Sequence, residues 1–209
     1  MTERKGHKRF DKDDADNCVD IAFWKLNQTV NNDAKFVKPV VLRDFIEPSS
    51  SEDELVTPKT ISLGLMHGLG SLRRTSRCSL NKKSEHYKVR CSVSFDDLHC
   101  TLPRVNDTID YVLSIKAEGN INFRLHRGAV QNIILVLPTI SYAMSVKNTT
   151  TKEDAILSSL TVPSSYALTG DGKIQGLYTH GLRYFLTLGA FFGQLDSIFH
   201  SAPCTLTAD

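Results

Sequence analysis

The chain has 209 residues, of which 41% are hydrophobic and 23% charged, values that exclude a disordered polyelectrolyte, a collagen-like fibre and a coiled-coil rod. Its 25 Lys and Arg against 23 Asp and Glu leave a net charge of +2, so contact with a polyanion has to come from local segregation of charge. This length fits one domain with additional arms.

Residues 1–18 alternate basic blocks (Arg4, Lys5, Lys8, Arg9, Lys12) with acidic ones (Asp11, Asp13, Asp14, Asp16) and hold no apolar core, which excludes a secretory signal there. Such a composition buries too little apolar surface to order itself. Val19 to Trp24, Phe36-Val37, Val40 to Leu42 and Phe45-Ile46 are expected to dock this arm onto a core. Glu47 to Glu54, with Pro48 and Ser49 to Ser51, is expected to be an acidic linker, and its serines suit an acid-directed kinase. Residues 1–59 are thus expected to form a flexible charged arm, and residues 60–209 a globular domain.

Gly64, Gly68 and Gly70 predict a glycine-rich turn or loop. Residues 73–90 follow, where Arg73, Arg74, Arg77, Lys82, Lys83, Lys88 and Arg90 face a single acid, Glu85. These seven are the candidate residues for binding phosphate, lipid headgroups or RNA, with Arg124 and Arg127 as candidate neighbours on a sheet face. Aromatic residues are not interleaved with them, which favours backbone or lipid contact over base stacking. The paired bases there and at Arg4-Lys5 and Lys8-Arg9 also match short nuclear-import signals.

Tyr87 to Phe95 alternates apolar and polar residues and predicts a half-buried strand. Asp96-Asp97 permits a turn, after which Leu98, Cys100 and Leu102 resume the alternation back along that strand. Asn106 is placed to cap a helix reaching Ala117, with Gly119 as its stop. Ile121, Phe123 and Leu125 predict a strand with one basic face. Ile133 to Leu137 reads as a strand buried on both faces, Thr139 to Val146 as another strand, and Thr151 to Leu160 as a short helix. Val162 to Lys173 is expected to be loop. The last 36 residues hold only Arg183, Asp196 and Asp209 as charged groups, which requires burial or a contact surface; residues 177–193 fit helix or strand. The expected fold class is α+β, a small antiparallel or mixed sheet with two or three helices behind the flexible arm.

Catalytic motifs are missing from the sequence. The stretch from Gly64 to Gly70 lacks a Gly-Lys-Ser/Thr end, there is no Gly-x-Ser-x-Gly, and adjacent Asp96 and Asp97 suit a turn better than acid–base work. Cys78, His86, Cys91, His99 and Cys100 lie close in sequence but lack zinc spacing, so no metal or cofactor is expected. Five scattered cysteines, an odd number, suit free thiols. The expectation is a non-enzymatic protein.

The order of elements, from the charged arm and its docking segment through the strand Tyr87 to Phe95, the helix Asn106 to Ala117, the strand after Gly119, the strands Ile133 to Leu137 and Thr139 to Val146, a short helix and the apolar segment Leu182 to Ile198, resembles the matrix proteins of rhabdoviruses, including plant-infecting ones. The resemblance covers residues 85–198 and lies in order and spacing. It implies a virion protein that self-associates, condenses the viral ribonucleoprotein and binds the anionic inner face of the envelope, working in host cytoplasm, with the host nucleus as a further expected location. Leu65, Met66, Leu69, Phe191 and Phe192 would then be candidate self-association contacts. The chain departs from many members in lacking Pro-Pro-x-Tyr and Pro-Thr-Ala-Pro near its N-terminus. The competing expectation is a nucleic-acid-binding viral accessory protein, a movement protein or silencing suppressor, that needs no membrane.

Overall fold

A computed structural model describes residues 10–32, 39–45, 59–83, 85–106, 109–148, 154–156, 172–201 and 204. In chain order these form helix α1 (Lys12–Asn32), strands β1 (Pro39–Phe45) and β2 (Lys59–His67), a 3-10 turn (Leu69–Ser71), and strands β3 (Leu72–Arg74), β4 (Ser79–Lys83), β5 (His86–Phe95), β6 (Leu98–Asn106), β7 (Ile109–His126), β8 (Ala129–Asn148) and β9 (Asp154–Ile156). Helices α2 (Gly172–Thr187) and α3 (Ala190–Ser201) follow. The expected α+β class holds: among the described residues, nine antiparallel strands form one sheet, and three helices pack against it.

The domain begins earlier in the chain than residue 60. The Asp11 carboxylate accepts hydrogen bonds from the Asp13 and Asp14 amides, and the Asp14 carboxylate accepts one from the Asp11 amide. This reciprocal cap starts α1, and the acids of the first turn complement the helix dipole. Ala15, Cys18, Val19, Ala22, Phe23, Leu26 and Val30 recur at helical spacing and are buried, whereas Ile21 and Trp24 face outward. The acid-rich character of this stretch belongs to the solvent face of the helix, and the docking segment Val19 to Trp24 is part of its buried face.

The strands are laid down as long antiparallel runs. β5 and β6 do not fold back on each other at Asp96-Asp97, as the sequence suggests; they continue in one direction and pair in succession with β7, Ser94 opposite Glu118 and Leu98 opposite Ile115. The helix expected from Asn106 to Ala117 falls instead on the first half of β7, because Val112 to Ala117 alternates between exposed and buried positions and fills a place between β6 and β8. The pattern of 3.6 and the pattern of 2 both pass through Val112 and Leu113, and cross-strand pairing decides between them. β7 then turns at Arg127-Gly128, both with positive φ, into β8. Asp154–Ile156 is strand and not part of a helix. The acidic stretch Glu47 to Glu54, the basic residues Arg4 to Arg9 and residues 157–171 lie outside the described residues.

A line of irregularities crosses the sheet. It runs through the 3-10 turn, Asp96-Asp97, and the bulge at Gly119 opposite Val136 to Thr139. Gly68 has φ 73, and a Cβ there would stand 1.5 Å from the Asp97 carbonyl oxygen; a Cβ on Gly119 would stand 1.9 Å from that of Val136. Both close approaches require that these two positions carry no side chain.

One face of the sheet carries the core: Val89, Cys91, Val93 and Phe95 of β5, Leu98 and Cys100 of β6, Leu113 to Phe123 at alternate positions of β7, and Ile133, Leu135 and Leu137 of β8. α1, α2 and α3 cover it with Leu26, Tyr178, Leu182, Phe191, Leu195 and Phe199, among others. Phe199 meets Phe23 and Phe123, and Phe95 meets Phe191. The charge-poor C-terminal segment is therefore a helical cover for the core, and residues 177–193 resolve as helix broken at Leu188-Gly189, whose amides both return to the Tyr184 carbonyl. Ile133 to Leu137 is buried on one face only, since Ile134 and Val136 are exposed.

Four of the five cysteines are paired, Cys18 with Cys204 and Cys78 with Cys91, which corrects the expectation of free thiols; Cys100 alone is free. Sequence scatter concealed the pairing because the first bond spans 186 positions.

Substitutions at the glycines and cysteines check this packing. Gly119→Ala destabilises by about 3 kcal/mol in urea unfolding, while Gly193→Ala, where an added Cβ meets nothing within 4 Å, stabilises by about 0.5–1 kcal/mol. Intact mass of the native protein shows the deficit of two disulfide bonds, and Cys18→Ser lowers stability by about 4 kcal/mol, more than Cys78→Ser, whose bond closes a separation of only 13.

Candidate polyanion-binding face

The seven basic residues of 73–90 divide between the two faces of the sheet. Arg74 stands opposite Val93 in the β3–β5 register and so points into the helix layer. Its Nε and Nη2 donate to the two carboxylate oxygens of Asp20 at 3.0 and 2.7 Å, and its Nη1 lies 3.1 Å from Asp16. The Asp16 carboxylate also accepts the Cys78 amide at 2.7 Å. Hydrogen bonding to Asp20 holds the Arg74 guanidinium further above its ordinary range. Arg77 pairs with Asp13, and Arg73 with Asp96. Lys82 stands opposite Tyr87, its ammonium 6.0 Å from the ring centre. These four residues are engaged with side chains of the same chain.

Lys83, Lys88 and Arg90 project from the uncovered face. The register places Lys88 beside Asn81 and Arg124, with Gln131 beyond; Arg90 beside Ser79 and Asn122, with Ile134 beyond; and Lys83 beside His86, His126 and Ala129. Lys83, Lys88, Arg90 and Arg124 are exposed and form no ion pair among the described residues. None of these rows contains a carboxylate. Neighbouring strands lie about 4.8 Å apart and same-face residues about 6.7 Å apart along a strand, so the four cations form a compact lattice with amide groups between them. Arg127, at the turn, lies 3.9 Å from Glu85.

Sequence reasoning found Lys83, Lys88, Arg90 and Arg124 but not the amides Asn81, Asn122 and Gln131 or the exposed Ile134 and Val136. The signal was strand alternation carried across three strands at once, which requires the register. Of the residues expected to mediate self-association, Met66, Leu69 and Phe191 are buried core, Phe192 packs partly buried against it, and Leu65 sits between β1 and β6. Met66, Leu69 and Phe191 therefore serve the core of one chain.

Other chemistry is constrained in similar fashion. Cys100 and Cys91 lie on the core side, with Cys91 and Cys78 joined to each other, while His86 and His99 belong to the outer face, so the five residues do not converge. Among the described residues, no group of three or more His, Cys, Asp or Glu is arranged to hold a metal ion. Burial pushes the Cys100 thiol up to about 12, and it contacts Met66 Sδ at 2.9 Å; such a thiol stays protonated and inert. Tyr178 is raised as well, by burial first and then by Cys100. An open cleft between α1 and the 3-10 turn, lined by Trp24, Asn27, Arg73 and Asp96 among others, has its ionic groups paired with one another. No described helix is long and apolar enough to cross a membrane. No family model and no curated protein matches the chain.

At the line of irregularities the His67 and His99 rings stack, centroids 5.0 Å apart, with Asp97 3.3 Å from His99 Nδ1. Burial, then repulsion from His99, lowers the His67 pKa from 6.5, with Asp97 opposing. The folded state therefore takes up this proton later than the unfolded state, and its contribution to stability is lost as pH falls below 6.5. The NMR titration of His67 is expected below 6.5, and His99→Gln returns it part of the way.

Proposed function

We propose that this chain is a non-enzymatic assembly protein of the matrix type, which holds ribonucleoprotein by binding RNA phosphates on the open face of its sheet. The observation that carries this reading is the set Lys83, Lys88, Arg90 and Arg124, exposed together on one face without acidic partners. Lysine and arginine supply the attraction to phosphate, and Asn81, Asn122 and Gln131 supply donors and acceptors suited to sugar and base edges. A sheet face with the described helices on the other side leaves room for an extended strand of nucleic acid.

A second reading uses the same cations for the anionic inner face of a membrane. It is favoured by Ile134 and Val136, 55% and 44% exposed beside them, whose side chains suit insertion into the headgroup layer. Without that attachment, the face would serve an RNA-binding accessory protein equally well.

The test is fluorescence anisotropy with a single-stranded RNA, run beside co-flotation with anionic and neutral liposomes across a salt series. A Lys88→Gln, Arg90→Gln, Arg124→Gln variant is expected to lose affinity roughly 100-fold, and to reduce the slope of log affinity against log salt by about two. Arg74→Gln with Arg77→Gln should lower the thermal midpoint, because Asp16 loses its partner, and leave RNA affinity unchanged. Flotation on anionic vesicles without RNA binding would replace the first reading with the second. Equal binding by the triple variant and the natural sequence would remove the face from both.

A further inference from the structure

The chain's single tryptophan faces solvent. Trp24 is 63% exposed, while Phe23 beside it is buried in the core. With Asp20, Phe23 and Asn27 it forms a ridge of α1 at helical spacing, and this ridge is one wall of an open cleft of about 330 Å³. The 3-10 turn and β3 supply the other wall, Gly70 and Arg73 among its residues. A Cβ on Gly70 would stand 2.9 Å from the Asn27 Cα, so α1 is seated directly against the turn and the wall that carries Trp24 is fixed relative to Arg73.

The charges of the cleft cancel. Arg74 donates to both carboxylate oxygens of Asp20, at 3.0 and 2.7 Å, and Arg73 is held by Asp96. Two cations answered by two carboxylates offer little attraction to a phosphate or to a further ion. What the cleft presents instead is the π face of the indole, with the polar groups of Arg73 and Asp96 on the same lining. A nucleobase has the matching chemistry, an uncharged aromatic plane bounded by hydrogen-bond donors and acceptors.

Position connects the cleft to the basic face. Arg73 stands opposite Ser94 of β5 and so alternates onto the side of Lys88 and Arg90, about 13 Å along the strand beyond Arg90. The row between, Ser92 with Asn120, is polar and uncharged, and Glu118 beside Ser94 is paired with Lys116 at 3.1 Å. An RNA strand with phosphates on Lys88 and Arg90 thus reaches the cleft without crossing an unpaired carboxylate among the residues of these rows. We propose that the cleft receives one unstacked base of that RNA, its plane lying on the Trp24 indole. The inference rests on the reading of the open face as an RNA surface and deepens it, adding a base contact to the phosphate contacts. Every base has a π face, so the site tolerates sequence but selects single strands over duplex, whose bases are already stacked.

Because the chain has one tryptophan, its emission reports this site alone. In the full chain, emission is expected to be quenched by single-stranded RNA along the curve that anisotropy of the labelled RNA follows, and to stay constant with inorganic polyphosphate, which occupies the cations but offers no base. Trp24→Ala should lower RNA affinity roughly tenfold at an unchanged slope of log affinity against log salt, since no phosphate contact is lost, and Trp24→Phe should retain most of the affinity. Anisotropy that rises while emission stays constant, equal quenching by polyphosphate, or natural affinity in Trp24→Ala overturns the base site and leaves the basic face standing. Emission that shifts on anionic vesicles and not with RNA overturns it in favour of the membrane reading. Absence of RNA binding by anisotropy overturns the reading of the face, and the base site with it.

Discussion

The guanidinium of Arg74 is held between two carboxylates one helical turn apart, Asp16 and Asp20, and both the packing and the surface chemistry of the molecule depend on that contact. Arg74 and Asp16 are 18% and 13% exposed, so the attraction is poorly screened and loss of either partner leaves a charge in a partly dry place. Asp16 also takes the Cys78 amide, which ties the segment between β3 and β4 to α1. The clamp sets the helix over the 3-10 turn and β3, and the Cys18–Cys204 bond fastens the same helix to the chain beyond α3.

With α1 in place, the helix layer consumes the arginines nearest to it. Arg74 and Arg77 become internal counter-ions of Asp13, Asp16 and Asp20, and Arg73 answers Asp96. The cations that remain available are those the strand period directs to the opposite face. The free positive charge of this segment is thus smaller than its composition implies and far more concentrated, since its members sit in adjacent rows of one sheet. Concentration on a rigid face matters more than count for holding phosphates, because the side chains need no ordering of backbone on binding.

The line of irregularities gives the sheet its second property. Gly68 and Gly119 admit carbonyl oxygens where side chains would stand, so the breaks between β2 and β3 and between β5 and β6 and the register shift between β7 and β8 fall at the same level. The stacked His67 and His99 lie on this line, at the junction between the two halves of the sheet.

Much of this was written locally in the sequence. Tyr87 to Phe95 and Ile121 to Leu125 alternate too regularly for anything but strands, the α+β class follows from such segments together with the apolar C-terminal run, and Lys83, Lys88, Arg90 and Arg124 declare themselves as cations on polar faces. α1 was legible too, in Asp11 to Asp14 as a cap and in the spacing from Ala15 to Val30, but the acidic composition outweighed that pattern. What the tertiary structure alone decided is whatever depends on a partner distant in sequence. Residues 109–117 are strand because β6 and β8 flank them, Asp96-Asp97 continues the chain because β7 runs unbroken beside it, and Cys18 meets Cys204 across nearly the whole chain. The same holds for which cations are free: Arg74 and Lys88 are alike in sequence, and only the register that sends one toward α1 and the other to solvent separates a structural ion from a binding one.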